Sequence, residues 1–558
     1  MDPAVDRNGS RLTAAGYALT AIVPLAFLGL FFAWPVASII GRGFVADGAL
    51  DLSAFSEVMA RERTWRIIGF TVAQATAGTA LAVLLGLPGA YVLYRLRFPG
   101  RTAARALVTV PFVLPTVVVG VAFRSLLVEG GAVGSLGADG TFGAVVAALV
   151  FFNYAVVVRT VGSMWAHLDP RPEQTARALG ASPWRAFREV TLPALTPAIA
   201  SAASLVFLFC ATAFGTVLVL GGLGYRTVET EIWVQTTQFL DLRTAAVLSV
   251  VQLGVVAGSL ALAAWSRRRR EVALRLRAGA TDDHLVRRCD LPLVAFTTVV
   301  VGGLIVTPLT SLVLRSLRTP EGWGLGNYTN LATTGSRDAL EVTVWRAALT
   351  SLRIAVDATW IAMTVGVLIA FLLSRRPRQP AARRTIGVLD GLFMLPLGVS
   401  AVTVGFGFLI TLNRPPVDLR SSIVLVPIAQ ALVAIPLVIR TLLPVLRAVD
   451  QRLRDAAAVL GANPRWVFTA VDLPVLGRSL GLAVGFCFAV SLGEFGATSF
   501  LSRPDRPTLP VVIFRLIGQP GTGNLGMALA ASVVLAMLTT GVIAVAERLR
   551  VHSAGADL

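Results

Sequence analysis

Lysine is absent from all 558 residues, so every one of the 49 basic side chains is an arginine. A phosphate-cradling G-x-x-x-x-G-K-[ST] loop needs its lysine to reach the phosphates, so ATP hydrolysis through such a motif is excluded. Charge of either sign is scarce, at 14% of residues, against about a quarter in soluble domains. With 55% hydrophobic residues and a mean hydropathy of +0.74, the composition is that of a membrane protein. The three cysteines (Cys210, Cys289, Cys487) have no paired spacing, and His167, His284 and His552 stand apart from one another. Nothing resembles a metal cluster or a nucleophile–base constellation, so neither a metal nor a cofactor is expected.

Long apolar runs are what the chain has in abundance. A bilayer core of roughly 30 Å needs about 20 mostly apolar residues per helix. Such runs lie near 14–40, 67–93, 106–128, 142–164, 198–220 and 244–265, and again near 291–314, 348–373, 386–412, 421–443, 480–501 and 527–546. These predict an all-α polytopic membrane protein of about twelve spans. The first run follows Arg7 and Arg11 but is too long for a signal-peptide core and lacks a clear cleavage site. It reads as a retained helix, with removal as the alternative.

Arginine sets the expected orientation. With the N-terminus inside, cytoplasmic segments hold 30 arginines and external ones 15, while acidic residues divide 14 and 14. Both termini are then cytoplasmic. The net charge of +18 reads as a topology signal, with anionic membrane lipid rather than nucleic acid as the partner of the arginines.

The sequence is also written twice. EQTARALGASPWRAFREVTLPAL at residues 173–195 returns as RDAAAVLGANPRWVFTAVDLPVL at 454–476, 281 positions on, with ten of 23 residues identical. Without a gap, Arg95 and Arg97 match Arg376 and Arg378, Leu114-Pro115 match Leu395-Pro396, and Phe214-Gly215 match Phe495-Gly496. The organisation expected is a six-helix half at 1–265, a basic cytoplasmic linker at 266–290 and a second half at 291–558. Six spans per half make this a parallel repeat, with a pathway along the pseudo-twofold axis. Pro115 and Pro396 either break their helices or are merely tolerated there.

The repeated segment falls inside loops at about 166–195 and 447–476. Glu173 to Leu179 suits a short helix, and Gly180 suits the left-handed position that ends one. Ser182-Pro183 and Asn463-Pro464 then supply an N-cap and a proline at the first helical position. A second short helix is predicted to about Val190, closed by Leu192-Pro193. Such punctuation, kept in both copies, predicts a rigid docking knob.

These residues resemble the permease subunits of binding-protein-dependent ABC importers, whose loop reads E-A-A-x-x-x-G, nine residues, then I-x-L-P. The first copy has Gln174, Thr175, Ala176 and Gly180, ending Val190-Thr191-Leu192-Pro193. The second has Asp455, Ala456, Ala457 and Gly461, ending Val471-Asp472-Leu473-Pro474. Gln174 and Asp455 stand where the family has glutamate, and Glu173 sits one residue early. The resemblance implies a type I ABC importer permease fold and a separate ATP-binding subunit on each loop, hence two copies. It also implies an extracytoplasmic substrate-binding protein, because external loops such as 41–66 and 315–347 are too small to form a receptor.

Within that family, FGTVLVLGGLGYRTVETEIW (214–233) and SLGEFGATSFLSRPDRPTLP (491–510) look most like the fused, double-length thiamine permeases, with ferric iron as the alternative cargo. Phe214, Gly215, Glu494, Phe495 and Gly496 are the candidate pathway or gate residues. Glu494, whose partner by symmetry is Ala213, is an intramembrane carboxylate and so a functional candidate. It either meets a passing cation or is a gate residue bonded to nearby helix ends. A proton-coupled carrier also uses two parallel halves but has no need of repeated docking loops.

Overall fold

A computed structural model of the chain describes residues 21–555 apart from 47, 129, 223, 271–282, 375–379, 415–416, 420–421 and 450. The stretch before Ala21, with Arg7 and Arg11, and most of the linker therefore lie outside the described residues.

The main helices of the first half are α1 (Ala21–Phe44), α2 (Glu62–Arg95), α3 (Arg101–Val113), α4 (Thr116–Leu127), α5 (Phe142–His167), α6 (Arg171–Ala178), α7 (Pro183–Ala211), α8 (Val228–Thr237) and α9 (Leu242–Arg270). The second half repeats them as α10 (Arg288–Ser316), α11 (Val344–Ser374), α12 (Pro380–Met394), α13 (Ala401–Thr411), α14 (Leu425–Ala448), α15 (Gln451–Val459), α16 (Leu473–Gly493), α17 (Leu509–Gly518) and α18 (Thr522–Gly555). The offset of 281 carries Val228, which opens α8, onto Leu509, which opens α17. The repeat therefore holds in structure beyond the motifs that reveal it.

Among the described residues, ten helices are individually long and apolar enough to span a bilayer. The run at 106–128 is instead α3 and α4, bent by 105°. Leu114 is extended (φ −69°, ψ 139°) because the ring of Pro115 disfavours a helical residue before it. The run at 386–412 is likewise α12 and α13, joined by one tight turn at Leu395–Gly398 that holds Pro396. Twelve apolar runs thus become ten unbroken helices and two broken ones. The runs at 198–220 and 480–501 also stop short as helices, at Ala211 and Gly493.

Close packing relies on small residues, since lipid offers no hydrophobic drive for helix association. A Cβ on Gly89 of α2 would lie 2.2 Å from the Tyr154 hydroxyl of α5, and one on Gly366 of α11 would lie 2.7 Å from Val438 of α14. Large apolar residues such as Leu84, Leu349 and Trp360 stay exposed on the long helices, where hydrocarbon would cover them. Each half has its own core, and a third core joins them, combining Val117, Phe214 and Ile232 with Val402, Phe495 and Val512.

The first helix of each half packs across onto the other half. A Cβ on Gly407 of α13 would lie 3.0 Å from Pro35 of α1. Reciprocally, Ser311 of α10 lies 3.2 Å from Ser125 of α4, hydroxyl to hydroxyl. The linker's end is fixed to the first half as well: His284–Leu285 pairs in parallel with Leu96–Arg97. Beside it Arg97 (2.6 Å) and Arg101 (2.7 Å) clasp Asp283. Hydrogen bonds from Arg97 and then Arg101 hold that carboxyl well below the usual range. The clasp is therefore fully charged above pH about 4 and is lost only in stronger acid.

Candidate functional site

The two repeated loops fold alike. In the first, the amides of Gly180 and Ala181 reach back to the carbonyls of Arg177 and Ala176; in the second, Gly461 and Ala462 reach Ala458 and Ala457. This double closure requires a left-handed residue, and Gly180 (φ +91°) and Gly461 (φ +86°) provide it. Ser182 then accepts from the Arg185 amide at 3.3 Å, and Asn463 from the Trp466 amide at 2.8 Å. The expected caps are in place.

Leu192-Pro193 does not close the second short helix. That helix runs through a π turn at Phe187–Thr191 straight into the membrane helix, and Phe468–Asp472 does the same before Leu473-Pro474. In the ordinary i→i−4 register, proline loses a hydrogen bond and its ring meets the carbonyl four residues back. The wider turn gives the ring room. Each loop is thereby rigidly continuous with α7 or α16, so a push on the loop is a push on the helix.

Among charged residues such as Arg177 and Arg185, each loop exposes large apolar side chains. Leu179 is 84% exposed, Leu460 87%, Trp184 70% and Trp466 64%. Gln174, Asp455, Ala456 and Pro193 are exposed alongside, with Ala176, Ala457 and Leu192 half-buried and Leu473 and Pro474 exposed. Glu173 turns inward and accepts from the Thr191 hydroxyl at 2.8 Å, pinning α6 to the π turn. Its counterpart Arg454 is buried and donates to the Leu446 carbonyl at 3.1 Å.

At the opposite ends of α7 and α16 the candidate gate residues meet across the two halves. The rings of Phe214 and Phe495, equivalent by the repeat, stack with centroids 5.4 Å apart and planes 18° apart. Phe514 lies 5.4 Å from Phe495, and Trp233 sits edge-on to Phe514 at 5.8 Å. A Cβ on Gly215 would lie 2.5 Å from the Thr116 hydroxyl, and one on Gly496 2.8 Å from the Ala401 methyl. Only glycine lets the chains pass this closely.

Glu494 is buried, and both its oxygens are engaged. One accepts from the Ala497 amide at 2.7 Å and the other from the Thr498 amide at 3.0 Å and the Thr498 hydroxyl. These amides open the short helix Thr498–Leu501, so the carboxylate is bonded to a nearby helix end.

A second buried carboxylate escaped the sequence reading. Glu229 is completely buried in α8 and accepts from Gln252 of α9 and from Ser400, the N-cap of α13, each at 2.9 Å. Its neighbour Glu231 takes the arginines, Arg63 at 3.1 Å and Arg226 at 3.3 Å. Both glutamates lie in a stretch polar enough to count as an external loop. The usable signal was Thr227 and Thr230, whose side chains form a capping box that opens a helix there.

Residues 78–271 match the family model for the binding-protein-dependent transport system inner membrane component. The chain is 27% identical over 479 residues to the thiamine transport system permease protein ThiP of Escherichia coli K12, covering 82% of this chain and 84% of that one. With its namesake in Brucella abortus it shares 26% over 510 residues, covering 87% of each. The sulfate transport system permease protein CysT of Escherichia coli K12 is 29% identical over 251 residues, spanning 43% of this chain but 89% of its own length. A single permease of that kind thus corresponds to less than half of this chain. Repeated loop, broken spans and relatives agree: residues 78–271 match the inner membrane component of binding-protein-dependent transport systems, and most of the chain is similar to a double-length permease subunit of that kind.

Proposed function

We propose that the chain carries thiamine or its phosphates across the bacterial inner membrane, driven by ATP hydrolysed on separate subunits. The observation that carries the substrate is the resemblance to thiamine permeases over more than four fifths of both chains. The arginine excess supports a cytoplasmic position for the repeated loops and both termini. There each apolar knob seats one copy of an ATP-binding subunit, while an extracytoplasmic binding protein delivers the cargo to the opposite face. Phe214, Gly215, Glu494, Phe495 and Gly496 form the gate between the halves.

Vesicles holding this chain with its ATPase and its binding protein should take up labelled thiamine only when ATP is supplied. Uptake of labelled ferric iron in place of thiamine would overturn the substrate. Uptake that ignores ATP and follows a proton gradient would overturn the importer mechanism.

Glu494→Gln tests the gate. The amide keeps one acceptor but turns an NH2 group toward amides that also donate, so the cap is half lost. Uptake is expected to fall roughly tenfold while the ATPase still copurifies. Wild-type uptake by this variant would remove Glu494 from the gate.

A further inference from the structure

We propose that Glu229 is the counter-charge for a cationic substrate in the translocation pathway, supplied by the first half alone. The inference rests on the thiamine reading above, whose cargo carries a cationic thiazolium ring.

Position is the first argument. Glu229 and Trp233 are one helical turn apart on α8 and share a face. Trp233 packs against the aromatic cluster, 6.4 Å from Phe214 and edge-on to Phe514. On its other side Glu229 touches Ser400, whose neighbour Ala401 abuts Gly496. The carboxylate therefore lies one helical turn from a ring packed on the stacked pair, and it bridges from one half to the other.

Its partners are the second argument. Among the described residues no cation pairs with Glu229, although Arg63 and Arg226 both reach Glu231 two residues away. A fully buried carboxylate held only by a neutral amide and a hydroxyl is costly to maintain. The cost is offset when a cation comes alongside. Two further polar atoms of this shell, Gln252 Oε1 and Trp233 Nε1, are buried without a hydrogen-bond partner among the described residues. Gln252 itself is 1% exposed. An open acceptor thus stands on the residue that holds the carboxylate, and an open donor one helical turn along α8.

Asymmetry is the third argument. The repeat places Pro510, Val533 and Val119 where Glu229, Gln252 and Ser400 would need their copies. A strut required by the two-half architecture would be expected twice. A site for one small cation on a central path is needed once.

The test uses the full complex in vesicles, with Glu229→Gln and the exchanged pair Glu229→Gln/Gln252→Glu, which moves the carboxylate to the adjoining helix. For the amide variant, ATP-driven thiamine uptake should fall at least about tenfold, while ATP hydrolysis stimulated by the binding protein stays within about twofold of wild type. The exchanged pair should recover much of the uptake. Unchanged uptake by the amide variant would overturn the proposal. So would parallel loss of uptake and hydrolysis in an assembled complex, which would mark Glu229 as a strut. Should the amide variant fail to assemble, an exchanged pair that hydrolyses ATP without transport would be equally fatal. A wild-type complex that moves ferric iron and not thiamine overturns the substrate reading alone, and the variants are then judged on that cation. A complex that moves neither cation removes the need for a counter-charge and sinks the inference.

Discussion

Replacing Gly180 and Gly461 together by valine is expected to lower ATP-driven uptake more than tenfold while the permease still folds and inserts. Nothing lies within 4 Å of where either Cβ would go, so the whole penalty is in the backbone. A left-handed conformation costs an ordinary residue roughly 1–2 kcal/mol, and a β-branched one is a stronger outlier. The helix end can escape by unwinding, which re-aims Leu179 and Trp184, or Leu460 and Trp466, away from their partner. Hydrolysis by the ATPase, assayed in the same vesicles, should then proceed without transport. Asparagine at both positions, which visits the left-handed region readily, should retain most of the uptake. Full coupling in the valine variant would remove these loops from the mechanism.

Cutting both Phe214 and Phe495 back to alanine should have the opposite sign, giving passage that needs no ATP. The stacked pair sits where the two halves face each other, and each large-to-small change in such a core costs about 3–5 kcal/mol through lost contacts and an unfilled space. Here the space lies on the proposed route. Vesicles carrying the double variant should equilibrate labelled thiamine down its gradient without ATP or binding protein, whereas wild type stays closed. A tight double variant would place the seal elsewhere along α4, α7, α13 and α16.

Much of this was legible in the residues, for reasons that particular positions make plain. Apolar runs gave the spans because a bilayer tests length and polarity alone, and the offset of 281 gave the two halves. Gly180 and Ser182 could be assigned because cap chemistry is local. Pro193 misled, because a proline after a short helix ordinarily ends it, and only a π turn lets it stay. The packing of α1 onto α13 was invisible: an apolar face looks the same whether lipid or another helix covers it. Glu229 was missed for a related reason. Its stretch reads as polar, and nothing nearby in sequence announces that Gln252 and Ser400 fold over it.

The first loop has an aromatic link that the sequence of the second does not repeat. Trp184 stacks on Phe187, Phe187 on Trp165, and Trp165 packs on Tyr91, which donates to Asp290 at the start of α10. The repeat puts Arg465, Leu446 and Leu372 where Trp184, Trp165 and Tyr91 stand. Two identical ATPase chains would therefore sit on unequal seats, one of them wired through aromatic rings to the junction between the halves. A homodimer of single-length permeases has only one kind of seat to offer. Joining the copies into one polypeptide makes the machine's front and back distinguishable, so a cycle that begins on one ATPase need not begin equally on the other.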